Sequence, residues 1–229
     1  MYVKDHMTKE PRTITKDVVI SKAVDIMSKN GFHRLPVVDE DGKLIGLVTG
    51  GLVEEQSGAK NTALSIYELN YLLSKTKVED IMITDLKTIT KDVFIEEAAQ
   101  KMIDNGISVL PVVDEEDRVI GIITEKDIFQ AFTELLGYKH QGTRFVFACE
   151  DKPGYFAGIS KVFADNDVNL ESLAVYHTQE RGTETMVKAT GAISVENMTE
   201  ILLREGYKLR DIAQTTKFGT VKRFDVPAK

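Results

Sequence analysis

Apolar and polar residues follow one another at two spacings along this chain, and the spacings change in the same order twice. Thr13-Ile14-Thr15 opens a segment whose Ala23 and Met27 stand four apart, which puts them on one face of a helix. Asn30-Gly31 ends that segment, because glycine accepts the left-handed backbone of a helix terminus. Two short apolar runs follow, Leu35 to Val38 and Lys43 to Val48, around the hairpin signal Asp41-Gly42, and a helix is expected to begin near Thr49. From Thr88-Ile89-Thr90 the order returns. Ala98 and Met102 mark the helix and Asn105-Gly106 its end. Val109 to Val113 and Arg118 to Ile123 form the strands around the poorer turn Glu116-Asp117, and a helix starts near Thr124.

The two passages are copies. Val3 to Leu52 aligns with Val78 to Asp127 without a gap, and roughly 23 of 50 positions are identical. Leu35-Pro36-Val37-Val38-Asp39-Glu40 is repeated as Leu110-Pro111-Val112-Val113-Asp114-Glu115. Each copy has a half-exposed sheet, so the pair is expected to bury those sheets against each other with pseudo-two-fold symmetry and clefts between the copies. Asn61 to Thr76 reads as a connecting helix through Leu64, Tyr67, Tyr71 and Leu72.

After the linker-like stretch Gly137 to Gly142 the pattern changes. Thr143 to Cys149 is an apolar strand. Proline suits a first helical turn, so a helix is expected from Pro153 to Asp165, with Phe156, Ile159 and Phe163 on one face. Val168 to His177 and Glu184 to Thr190 read as strands around Gly182, Val195 to Glu205 as a helix, and Tyr207 to Ala213 as a closing strand. That order is βαββαβ, the ferredoxin-like arrangement. The expected fold class is therefore α+β, with repeats over 1–60 and 61–136, a third domain over 143–215 and a tail over 216–229.

Bulk composition narrows the function. A net charge of −7 argues against nucleic acid as a partner, which requires a basic stripe. No apolar run reaches the ~18 residues of a spanning helix, and the polar N-terminus lacks the core of a signal peptide, so a cytoplasmic chain is expected. Cys149 is the single cysteine and lies in the run Phe145 to Cys149, where it reads as a packed structural thiol. His6, His33, His140 and His177 lack metal-ligand spacing, and no catalytic motif occurs, so neither a metal, a required cofactor nor an enzyme is expected.

The paired Pro-Val-Val-Asp and Gly-x-x-Thr signatures, twice in register over residues 1–136, resemble the CBS-domain pair, or Bateman module. In that family Gly-x-x-Thr-x-x-Asp contacts a ribose, and the second copy has it complete as Gly121-Ile122-Ile123-Thr124-Glu125-Lys126-Asp127. The resemblance implies ribose contact by Thr124 and Asp127, with Lys126 adding charge. The same residues are also a capping box that merely closes a helix start. The first copy reads Gly46-Leu47-Val48-Thr49-Gly50-Gly51-Leu52, with leucine in place of the aspartate, so one working site is expected. His33 and Arg34 precede Leu35-Pro36 as a similar pair precedes Leu-Pro in adenylate-sensing CBS modules, which implies a phosphate contact. Ser108 occupies that place in the second copy. Thr88, Thr90, Ser108 and Pro111 are expected to line the cleft and hold the adenine.

Asp-x-Pro-Gly after the first strand and Val-Asn-Leu at the second resemble the ACT domain. The resemblance implies dimerisation, with amino-acid binding by Asp151, Gly154 and Asn169 as the further possibility; helix capping and turn formation explain the same three residues. The CBS–CBS–ACT order resembles the AcuB-like bacterial proteins of acetoin utilisation. The expected function is that of a homodimeric regulator sensing AMP, ADP or ATP on behalf of an unknown protein target. Cyclic di-AMP as the ligand, or a ligand-free dimerisation module, are the alternatives.

Overall fold

Residues 1–56, 66–150 and 152–227 are described by a computed structural model. They form two compact units, Met1–Phe129 and Gln130–Lys229. The first unit opens with α1 (Val3–His6) and β1 (Thr8–Lys9). The first copy then supplies α2 (Ile20–Asn30), β2 (Arg34–Val38), β3 (Leu44–Thr49) and α3 (Gly50–Gln56). Next come α4 (Ile66–Lys75) and a 3-10 turn, Val78–Asp80. The second copy repeats the order with α5 (Ile95–Asn105), β4 (Val109–Val113), β5 (Val119–Thr124) and α6 (Glu125–Leu135). The expected connecting helix is present from Ile66 onward, while Asn61 to Ser65, with Leu64, lie outside the described residues.

Local chemistry explains these boundaries. Gly31 and Gly106 terminate α2 and α5 with φ of 67° and 61°, a backbone that costs glycine nothing. In both hairpins an aspartate carboxylate organises the turn. Asp39 Oδ1 accepts from the amides of Asp41 and Lys43, and Asp114 Oδ1 from those of Glu116 and Arg118. Where the first turn has Gly42 at φ 79°, the second has Asp117 at φ 63°, so the poorer signal makes the same turn under strain. The two turns join across the pseudo-dyad, Leu44 N–H to Asp117 O at 3.0 Å and Val119 N–H to Gly42 O at 3.2 Å.

The copies also exchange their leading segments. Val3 enters the core of the second copy, among Ile89, Ala98, Met102, Leu110, Val112 and Ile123. Val78, its repeat counterpart, enters the core of the first, among Ile14, Ile20, Ala23, Met27, Leu35 and Val37. Both valines are wholly buried, a transfer that stabilises by about 1.5–3 kcal/mol each. Backbone bonds follow the same exchange. Val3 N–H reaches Val93 O at 3.0 Å, and Val78 N–H reaches Val18 O at 2.8 Å. β1 pairs antiparallel with β5, and Ile83 bridges to Leu47 of β3. Beside these pairings Met7 lies against Gly121 and Met82 against Gly46, where any Cβ would collide with the sulfur. The glycine of each Gly-x-x-Thr thus makes room for the other copy's arm.

In the second unit β6 (Gly142–Ala148), α7 (Tyr155–Ala164), β7 (Asn169–Thr178), β8 (Gly182–Thr190), α8 (Val195–Arg204) and β9 (Lys208–Thr215) follow the expected order. A further strand, β10 (Val221–Phe224), pairs with β9 in the stretch expected as a tail. The antiparallel sheet runs β10-β9-β6-β8-β7, and the helices pack Ile159, Phe163, Met198 and Leu202 onto Phe145, Phe147, Val187 and Ile212. Pro153 lies before α7 instead of in its first turn, because Gly154 at φ 84° holds the N-cap and the helix starts only after it.

Among the described residues, the interior strand β8 carries one buried cation. Lys188 is 1% exposed and donates from Nζ to Gly142 O at 3.3 Å and Thr215 Oγ1 at 3.2 Å. Burial, with Arg144 nearby, lowers its pKa from 10.5, and Glu171 opposes only in part.

Two outcomes are expected. Gly121→Ala should cost about 1–2 kcal/mol in urea unfolding, and combining it with Met7→Ala should cost less than the two changes summed. Between the lowered pKa of Lys188 and 10.5, the unfolded chain holds a proton that the folded chain has released. Folding stability therefore rises with pH through that window, and the burial penalty is fully present below it. Urea midpoints taken at stepped alkaline pH should show this gain in the wild type and lack it in Lys188→Met.

Candidate functional site

The start of α6 is set by a carboxylate. Asp127 Oδ2 accepts from the Thr124 amide at 2.8 Å and from Thr124 Oγ1 at 2.7 Å. The carboxylate half of the Thr-x-x-Asp capping box is thus realised, while the Thr124 hydroxyl donates to the same oxygen. Only one carboxylate oxygen is used, and Oδ1 has no partner among the described residues. The first copy solves the same problem differently. With Leu52 in the place of the aspartate, Thr49 turns its hydroxyl to accept from the Leu52 amide at 3.1 Å.

A cleft of about 350 Å³ lies between the copies within the first unit. Arg34, Leu47 and Thr49 line it from the first copy, and Ile107, Ser108, Val109 and Pro111 from the second. Of the expected residues it brings together Arg34, Ser108 and Pro111. The Arg34 guanidinium donates from Nη2 to Ser108 Oγ, a bond that joins the copies inside the cleft. Thr124 and Asp127 are not among the residues that line it. Thr124 pairs with Val109 across β4 and β5, and the Glu125 amide donates to Ser108 O at 3.2 Å. Lys126 is exposed on α6.

The remaining expected residues lie elsewhere. His33 is exposed and takes part through its carbonyl, which accepts from the Gly50 amide at 2.9 Å. Thr88 is half-buried, and its carbonyl accepts from Lys101 Nζ at 2.7 Å. Thr90 is exposed. The cleft also has a wall that sequence reasoning missed, Ile83, Asp85, Leu86 and Lys87, in which Lys87 pairs with Asp85 at 3.0 Å. The signal for it was the acid-x-base triplet recurring at the repeat offset, Glu10-Pro11-Arg12 and Asp85-Leu86-Lys87.

In the second unit a cleft of about 490 Å³ opens where β6 meets α7, lined by Cys149, Lys152, Pro153, Gly154, Tyr155 and Tyr207 among others. Gly154 is placed there. Asn169 is an exposed residue at the start of β7 and does not line this cleft, and Asp151 lies outside the described residues. Tyr155 donates to Ala148 O at 3.2 Å, and burial above all, with Cys149 and Tyr207 beside it, pushes its phenol up to about 12. It is therefore a neutral donor at any physiological pH. Cys149, expected to be packed away, is half-buried at this rim. Among the described residues no helix is long and apolar enough to cross a membrane, and no group of three or more His, Cys, Asp or Glu side chains is arranged to hold a metal ion.

Comparison with known proteins supplies the family. The CBS domain model matches residues 3–50 and 78–134, and the ACT domain model matches 143–207. Homoserine O-acetyltransferase of Methanohalobium evestigatum is 35% identical over 133 residues, 58% of this chain and 24% of the relative. L-aspartate semialdehyde sulfurtransferase of Methanocaldococcus jannaschii is 35% identical over 130 residues, 57% of this chain and 23% of the relative. The chain spans about a quarter of the length of these enzymes, and the similarity falls on their CBS part. Protein MJ1426 of Methanocaldococcus jannaschii is 31% identical over 153 residues, 57% of this chain and 90% of that protein.

Among solved structures, the CBS domain pair of protein MJ0100, in complex with 5′-methylthioadenosine and S-adenosyl-L-methionine, is 34% identical with a TM-score of 0.50. The match covers 58% of this chain and 97% of that one. CBSX2 in complex with AMP, 22% identical with the same TM-score, shares the fold over 58% of this chain and 97% of that one. CBS and ACT domains are regulatory modules, and this chain belongs to the CBS-domain family, with a CBS pair followed by an ACT domain.

Proposed function

We propose that this protein is a non-enzymatic regulator whose CBS pair senses an adenine nucleotide, AMP, ADP or ATP. The observation that carries this reading is the cleft in which Arg34 of one copy meets Ser108 of the other. A ligand seated there touches both copies at once and favours whichever relative placement of the two fits it best. Such differential affinity is the requirement for a sensor. Asp127 Oδ1 is an acceptor suited to ribose hydroxyls, and Arg34 is a donor suited to phosphate. The 34% identical pair of MJ0100, solved with two adenosine-containing ligands, supports the ligand class.

That same comparison favours a second reading, in which the ligand is a sulfur-bearing adenosine without phosphate. The neutralisation of Lys87 by Asp85 also suits it, since less positive charge is left for a polyphosphate. The ACT domain serves dimerisation or takes an amino acid at the cleft beside Gly154. The protein works in the cytoplasm as a homodimer, passing the signal to a protein target.

Thermal unfolding with AMP, ADP, ATP, cyclic di-AMP, 5′-methylthioadenosine and S-adenosylmethionine tests the reading. A ligand at 100 times its Kd adds about 2.7 kcal/mol, a shift of several degrees. Asp127→Ala should cost about 1 kcal/mol without ligand, through the lost cap, and should also suppress the ligand-induced shift. A stability loss with the ligand shift intact restricts Asp127 to capping. No shift with any adenosine compound at millimolar concentration sinks the sensor reading and leaves an assembly module.

A further inference from the structure

Two cations line the CBS cleft among the described residues, and they are not equivalent. Lys87 is neutralised by Asp85 at 3.0 Å. Arg34 has no carboxylate partner among the described residues. One of its N–H groups is held by Ser108 Oγ, and a guanidinium has five. Among the described residues, four donors and a full charge therefore remain without a partner. An arginine side chain is otherwise a flexible stem with many rotamers, and ordering it on binding subtracts from affinity. Here the stem is tethered before a ligand arrives, by a hydroxyl from the opposite copy.

Resting on the sensor reading above, we infer that Ser108 is a positioning residue that determines specificity. It acts through Arg34 by aiming the guanidinium, so that the cleft prefers adenosine ligands carrying a 5′-phosphate over those that do not. Ser108 Oγ accepts from Arg34 and keeps its own O–H to donate elsewhere. The second copy's serine thereby decides how the first copy's arginine is used, and neither copy has the preference alone. Arg34 stands at the β2 end of the hairpin, paired with Thr49, so its backbone is fixed and the tether orients only the side chain.

Calorimetric titration of the full chain with AMP and with 5′-methylthioadenosine tests this, since the two differ at the 5′ substituent. Ser108→Ala should weaken AMP by roughly tenfold and change 5′-methylthioadenosine less than about twofold. Ser108→Thr, which keeps the hydroxyl, should retain the preference. In an Arg34→Gln background the AMP preference should already be gone, and adding Ser108→Ala should change it no further. That comparison also serves if Ser108→Ala alone folds poorly. Equal weakening of both ligands by Ser108→Ala, unchanged AMP binding, or additive losses in the double variant would each overturn the inference. Wild-type binding of 5′-methylthioadenosine but not AMP would overturn it while leaving the sensor reading in place. Binding of neither ligand would overturn the inference and leave the sensor reading to the other adenosine compounds of the thermal-unfolding panel.

Discussion

Val3 and Val78 are the same residue of the same repeat, and each completes the core of the other copy. On this exchange the rest of the first unit depends. A copy deprived of the incoming valine has a gap among its own alanine, methionine and leucine side chains, and an unfilled gap of that kind costs more than the lost transfer energy. The arms also bring β1 onto β5 and Ile83 onto β3, beside the cleft that Arg34 and Ser108 span. Cleft and core are consequently one construction: the segments that close the hydrophobic clusters also lead into one wall of the cleft.

Much of this was legible in the sequence. The repeat offset gave both hairpins, both glycine-capped helices and the expectation of a pseudo-two-fold pair, because each rests on local chemistry that survives in either copy. The exchange of arms was not legible, for a reason of symmetry. Val3 and Val78 are identical, as are the Gly46 and Gly121 positions that receive the methionines, so the pattern reads the same whether an arm docks on its own copy or on the neighbour. β10 was hidden because Val221-Lys222-Arg223-Phe224 is short and charged in its middle, which gives little period-two signal. Pro153 misled by two residues, since the proline rule for helix starts was outweighed by the left-handed glycine that follows it.

The candidate site divides along the same line. Arg34, Ser108 and Pro111 flank or belong to the repeated apolar strands, and their place in the cleft follows from register. Asp127 was visible as a motif, but its motif has two meanings, and the fold uses one oxygen for the helix cap and leaves the other without a partner among the described residues. Asp85 and Lys87 escaped notice because an acid and a base two residues apart look like any solvated surface. Their significance comes from Ile83, whose pairing with Leu47 carries the following residues into the cleft, and that pairing is long-range.

The exchanged arms carry a consequence for ancestry. An arm that docks on the neighbouring copy docks equally well when the neighbour is a separate chain, so a lone repeat holds everything needed to form a swapped dimer with itself. Joining two such repeats in one polypeptide replaces a bimolecular encounter with a tethered one and frees the assembly from dilution. Fusion also releases the two halves from having to stay identical. Leu52 where the second copy has Asp127, and Arg34 where it has Val109, are differences that a symmetric dimer has no means of keeping.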